Sequence, residues 1–196
     1  MARIPWSDLQ FERDEDGDLL TLGRGSFGSV LAATYSFARV AVKQLPVDRK
    51  LPPATIAALE AEAALQARLA HDHVVRVYGF AANPERLKYG LVLARLHDTL
   101  HAVLARAEEG GEKPPIAWRL SAVHQVAAGL AHLHARRVVH GDVKPANVLL
   151  TAPEMGSVLQ LSDFGLAKET GAGGSVRGTM GGGGREAQQL GWHPSC

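Results

Sequence analysis

The stretch HGDVKPANVLL, residues 140 to 150, sets Asp142, Lys144 and Asn147 between Val138-Val139 and Val148-Leu149-Leu150. Burying hydrogen-bonding side chains costs free energy unless they find partners, so this pattern points to a site whose partners arrive with a ligand. Upstream, GRGSFGSV places glycines at 23, 25 and 28. That spacing lets backbone amides approach a phosphate with no Cβ in the way. The same spacing serves a plain hairpin, or a dinucleotide-binding turn with an acid ~20 residues on, where Asp48 stands. A dinucleotide turn also needs a helix at the last glycine, and the residues that follow read as strands. In VAVK, residues 40 to 43, Val40 and Val42 face one side of a strand and Ala41 and Lys43 the other. Lys43 then lies under the glycine-rich turn, near any bound phosphate, or is a solvated edge residue.

The elements that must position these residues follow from periodicity. From Leu19 to Val47, Phe27, Val30, Tyr35, Phe37, Val40 and Val42 cluster around the glycine-rich turn and predict short antiparallel strands. LPPATIAALEAEAALQARLA opens on Pro52-Pro53 and carries Ile56, Leu59, Leu65 and Leu69, which predicts a helix from about Ala54 to Ala70. HDHVVRVYGF and LKYGLVLARL read as strands. After the loop EEGGEKPP, Leu120, Val123, Ala127, Leu130 and Leu133 recur at helical spacing between Ile116 and Arg136. VVHGDVKPANVLL and VLQLSDFGLA read as two strand-and-loop units joined by TAPEMGS. Beyond Thr170 the chain is glycine-rich and shows no periodic apolar face, so it reads as an irregular tail. His71 and His73 in HDH, with His132, His134 and His140, lack a cysteine or carboxylate pattern that would complete a zinc site. They read as structural or surface histidines.

With 196 residues, 46% hydrophobic and 21% charged, the chain suits one domain or two small lobes. Lysine plus arginine number 21 against 20 acids, a net charge of +1 with no long block of either sign, which argues against nucleic acid as a partner. The one cysteine, Cys196, permits no internal disulfide and fits a reducing, cytoplasmic setting. MARIPWSDLQFERDEDGD lacks the apolar core of a signal peptide, and no stretch nears the ~18 apolar residues of a spanning helix, so no membrane insertion is expected.

Taken in order, GRGSFGSV, VAVK, HGDVKPANVLL and DFG resemble the signature set of the eukaryotic protein kinase family. IPWSDLQ and the VAVK strand most resemble the tyrosine-kinase-like branch of the serine/threonine kinases, and Lys144 is the residue that branch and other serine/threonine kinases usually carry at that position. The resemblance implies an α+β, two-lobed kinase fold. Its parts are a lead-in at 1–18, a small β-rich lobe at 19–93, a partial helical large lobe at 94–170 and a glycine-rich tail at 171–196. It implies ATP and Mg²⁺ as cofactors and protein serine or threonine hydroxyls as substrates, in signal transduction. The turn with Gly23, Gly25, Ser26, Phe27 and Gly28 is expected to cover the triphosphate. Lys43 is expected to hold the α- and β-phosphates while paired with a helix glutamate, and the family pattern selects Glu62, leaving Glu60 a solvated charge. Leu22, Val30, Ala41, Leu93 and Leu149 are expected to enclose the nucleotide, with the backbone of Ala94 and Leu96 facing adenine. By the same resemblance Asp142 orients the attacking hydroxyl, Lys144 neutralises the transferred phosphoryl, and Asn147 and Asp163 bind magnesium.

The sequence departs from the family twice. Gly141 stands where most kinases carry arginine, so control by phosphate at Ser175 or Thr179 is expected to be weak or absent. After DFGLAKETGAGGSVRGTM the family continues with an APE motif and further helices, whereas here GGGGREAQQLGWHPSC follows. The expectation is a C-terminally truncated large lobe, with the apolar underside of the Ile116–Arg136 helix left uncovered. The alternative reading is a nucleotide-binding, catalytically inactive fragment that acts through protein contacts.

Overall fold

The computed structural model describes residues 2–25, 28–45, 51–111, 113–153, 156–170 and 176–178, with the backbone alone at 25, 62 and 176–178. Ser26, Phe27, Ser175, Thr179 and most of the tail lie outside the described residues. The architecture is α+β, in two compact units: residues up to Arg68 with Arg76–Arg95, and Leu69–Val75 with the described residues from Leu96 onward.

The first unit contains β1 (Ala2–Pro5), β2 (Gln10–Phe11), β3 (Thr21–Gly25), β4 (Gly28–Tyr35), β5 (Ala38–Gln44), β6 (Val77–Asn83) and β7 (Lys88–Ala94). They form a seven-stranded sheet in the order β1-β6-β7-β5-β4-β2, with β3 on β4. Alternation sends Ala33, Val40, Val42, Ala81 and Val92 to one face, where Ile4 and Leu9 close the core with Trp6 and Phe11 against it. At roughly 1.5–3 kcal/mol for each fully buried large side chain, Ile4 and Leu9 are structural members of this unit. They come from the stretch that reads in sequence as a lead-in. β1 runs parallel to β6, with Ala2 opposite Gly79, Arg3 opposite Phe80 and Ile4 opposite Ala81. A Cβ at Gly79 would lie 2.4 Å from the Ala2 carbonyl oxygen, so only glycine leaves room for the strand.

On the other face lies α1 (Pro53–Ala67), whose Ile56, Leu59 and Ala63 pack on Phe80, Tyr89 and Leu91. The helix stops three residues short of the expected Ala70, the chain turning at Arg68. HDHVVRVYGF is strand only from Val77. The His73 N–H donates to His71 Nδ1 at 3.1 Å and the Val74 N–H to the His71 carbonyl at 3.0 Å, so these amides are taken up in a turn instead of a ladder.

The second unit holds β8 (Asp98–Thr99), α2 (Leu100–Glu109), α3 (Ile116–Ala135), β9 (Val138–Val139), β10 (Val148–Leu150), β11 (Leu159–Leu161), β12 (Lys168–Thr170) and β13 (Val176–Gly178). Two three-stranded sheets result, β11-β10-β8 and β13-β12-β9. Sequence reading passed over α2, although Thr99 is a good N-cap: its Oγ1 accepts from the Ala102 N–H at 3.0 Å. α3 buries Trp118, Ala122, Gly129 and Leu133, while Leu120 and Val123 are 63% and 68% exposed. Of the expected apolar stripe only Leu133 is fully buried. At Gly129 the helix presses on main chain: a Cβ there would stand 2.8 Å from the His73 carbonyl. No helix among the described residues is long and apolar enough to cross a membrane.

Candidate active site

In the first unit the glycine-rich turn is a hairpin of β3 and β4, with Gly25 opposite Gly28, Arg24 opposite Ser29 and Gly23 opposite Val30. Gly28 has φ +116°, a conformation glycine adopts at little cost. Leu22, partly buried, sits at the irregularity between Thr21 and Gly23. Across β4 and β5, Val30 faces Lys43 and Ala32 faces Ala41; across β5 and β7, Ala41 faces Leu93. Residues opposite one another share a face, so Gly23, Val30, Ala41, Lys43 and Leu93 form one surface, opposite the Val40 and Val42 core. The Ala94 N–H donates to the Arg76 carbonyl at 2.9 Å, so that donor is already engaged within the protein. Glu60, expected to be a solvated charge, instead pairs with Arg3 at 2.9 Å. The Glu62 side chain lies outside the described residues. A shallow cleft of about 600 Å³, lined by Asp18, Arg24, Ser29, Leu31 and Gln44, lies on the same hairpin. Ser29, Leu31 and Gln44 alternate with Val30 and Lys43, so this cleft opens on the opposite face and contains no Lys43.

In the second unit the polar residues of HGDVKPAN converge. Asn147 Nδ2 donates to the Asp142 carbonyl at 2.8 Å and to Asp142 Oδ2 at 2.9 Å. Lys144 Nζ meets the same Oδ2 at 2.8 Å. Oδ1 of Asp142 accepts nothing among the described residues. Because the Asn147 amide faces two oxygen acceptors, its nitrogen must point at them and its Oδ1 away. Asn147 is held in turn by Ser162, whose N–H and Oγ donate to the Asn147 carbonyl at 2.9 and 3.1 Å. The next residue, Asp163, has φ +59°, a strained conformation for a non-glycine residue. Leu149 is buried in β10, and the backbone N–H of Leu96 makes no hydrogen bond among the described residues.

Sequence reading missed the role of His140. It is 1% exposed, its ring lies tilted against that of Phe164 with centroids 4.8 Å apart, and it bridges the two polar segments. The Asp142 N–H donates to Nδ1 at 3.3 Å, so Nε2 carries the proton and donates to the Ser162 carbonyl at 2.9 Å. Burial lowers its pKa, partly opposed by the Ser162 carbonyl and the charges of Asp163 and Asp142. A single histidine carries no periodic signal, so nothing local in the sequence marks this role. Gly141, at φ +81°, is closely covered: a Cβ there would lie 2.6 Å from the Leu166 carbonyl oxygen.

The sequence pattern that defines the protein kinase domain matches residues 18–182. The chain belongs to the protein kinase family. The serine/threonine-protein kinase mos of Gallus gallus is 34% identical to it, over 85% of this chain and 50% of that protein. Mitogen-activated protein kinase kinase kinase 6 of Homo sapiens is 31% identical, over 82% of this chain and 12% of that protein. An Ack-related non-receptor tyrosine kinase of Caenorhabditis elegans is 32% identical, over 78% and 14%. The chain thus spans between 12% and 50% of the length of these relatives. For this kinase-family chain the His140, Asn147 and Ser162 network is the frame on which Asp142 is aimed.

Proposed function

We propose that this chain is an ATP-dependent protein serine/threonine kinase that transfers the γ-phosphate of ATP to protein hydroxyls in signal transduction. The Asp142 carboxylate carries the reading: Lys144 and Asn147 both engage Oδ2 while Oδ1 stays open to a hydroxyl. Phosphoryl transfer asks the protein for positioning and charge stabilisation more than for covalent chemistry. Asp142 orients the attacking hydroxyl and accepts its proton, and Lys144 offsets charge on the transferred group. Lys43 holds the α- and β-phosphates. Because Glu60 is engaged by Arg3, Glu62 is the better partner for Lys43. The Gly23–Gly28 turn, including Ser26 and Phe27, covers the phosphates, and Leu22, Val30, Ala41, Leu93, Ala94, Leu96 and Leu149 receive the adenine.

Mg²⁺ suits the donors available, since a hard cation takes oxygen ligands and the Asn147 carboxamide oxygen and Asp163 carboxylate are both oxygen donors. When bound it supplies charge neutralisation on the phosphates. Lys144 and the mos-like similarity favour serine or threonine over tyrosine as acceptor. A chain with Cys196 as its one cysteine and a net charge of +1 suits the cytoplasm and protein partners, not nucleic acid.

The test is transfer of labelled phosphate to a generic serine/threonine substrate, alongside melts with and without Mg²⁺-ATP. Asp142→Asn and Lys43→Met are each expected to cut transfer by ~10²-fold or more. Undiminished transfer in both variants would overturn the reading. An ATP-dependent rise in melting temperature with no transfer would return the non-catalytic alternative.

A further inference from the structure

β1 is anchored on both faces of the sheet. Ile4, opposite Ala81, enters the core that also holds Leu9. Arg3, opposite Phe80, therefore stands on the other face, the one α1 covers. Phe80 packs on Ala63 of α1, and Glu60 precedes Ala63 by three residues, on the same side of the helix. Across 57 residues of sequence, Arg3 Nη2 reaches Glu60 Oε2 at 2.9 Å. The Glu60 side chain is 23% exposed, so the helix end of the pair is shielded while the arginine is 80% exposed. The first turn of α1 carries no side-chain cap among the described residues. Pro52 at the N-cap offers no side-chain bond, the first turn has no acid, and the last turn has no base.

We propose that Arg3 is a positioning residue for phosphoryl transfer: through Glu60 it fixes how α1 is seated on the sheet, and with it Glu62 two residues on. The functional half of the inference rests on the kinase reading above, in which Glu62 pairs with Lys43; the structural half rests on the Arg3–Glu60 geometry. The N-terminal strand is thus a strap, and whatever lifts residues 2–5 from β6 loosens α1.

A charge-swap series on the full chain tests this, read by hydrogen exchange over residues 53–67, by the KM for ATP and by melting temperature. Arg3→Glu and Glu60→Arg should each raise α1 exchange and KM about two- to five-fold with kcat and melting temperature little changed, as expected for a modest bias between seated and unseated helix. The double variant, which restores the pair with its charges exchanged, should return both readouts towards wild type, and Arg3→Lys should retain them. Reversals that leave α1 exchange and KM unmoved, or a double variant that does not recover, would overturn the inference. If the wild type transfers no phosphate the kinase reading fails separately, and the exchange arm alone decides whether Arg3 seats α1.

Discussion

Asn147 donates through one nitrogen to both the main-chain and the side-chain oxygen of Asp142, at 2.8 and 2.9 Å. A single amide so bridges the backbone and the carboxylate of the same residue, which restricts the rotation an aspartate would otherwise have. Ser162 holds the Asn147 carbonyl from the other side, so the segments before Asp163 and after Asp142 are one hydrogen-bonded frame.

Replacing Asn147 with alanine leaves Asp142 without this bridge. Transfer is expected to fall by ~10²-fold or more, the usual loss when a preorganised polar group is removed. Initial rates with a protein substrate check this, with the melting temperature as a control for folding. Asn147→Asp should fare no better, because a carboxylate cannot donate to Asp142.

Two histidines, His140 buried and His132 partly buried, make stability depend on pH. His140 is lowered by burial, and His132 by burial, then by Arg136 and His71, with the Leu69 main chain opposing. Both are neutral in the folded chain at pH values where the unfolded chain, with histidine near 6.5, begins to bind protons. Their contribution is therefore fully present above about pH 6.5 and is lost as the pH falls through their folded values. Urea midpoints should drop between about pH 7.5 and about pH 5, and less so in His132→Gln. An acid-insensitive midpoint would show that neither histidine is held neutral.

Gly141 is more than a missing arginine. Its φ of +81° and the Leu166 carbonyl, 2.6 Å from where a Cβ would go, both exclude side chains. Gly141→Ala and Gly141→Arg should each lose about 1–3 kcal/mol of stability and reduce transfer, without creating a response to phosphate. Thermal melts and rates before and after phosphatase treatment check both parts. An arginine variant more active than wild type would show that Leu166 yields easily.

Gly79→Val should push β1 off β6, exposing Ile4 and costing about 1.5–3 kcal/mol or more. Gly156→Val, where none of the described residues lies within 4 Å of the added Cβ, is the matched control and should be near neutral. Chemical denaturation of the two variants separates a packed glycine from an unpacked one. In the first, protection of residues 2–5 from hydrogen exchange should also fall.

The sequence alone determined the chemical class and the local geometry that serves it. GRGSFGSV and VAVK state a hairpin and an alternating strand, so which face carries Lys43 was legible, because side-chain direction in a strand is fixed by parity. HGDVKPAN keeps Asp142, Lys144 and Asn147 close simply by chain proximity. What the tertiary structure decided are contacts between residues far apart in the chain. His140 meets Ser162 across 22 residues and Arg3 meets Glu60 across 57, and neither pair has a local signature. On α3, Leu120 and Val123 are exposed, in keeping with an uncovered apolar underside, but the close approach at Gly129 has no local signal: its partner, the His73 carbonyl, lies in another segment. Short-range order follows from bond geometry and spacing; register, close approach and the neighbours of a buried polar group exist only once distant segments have met.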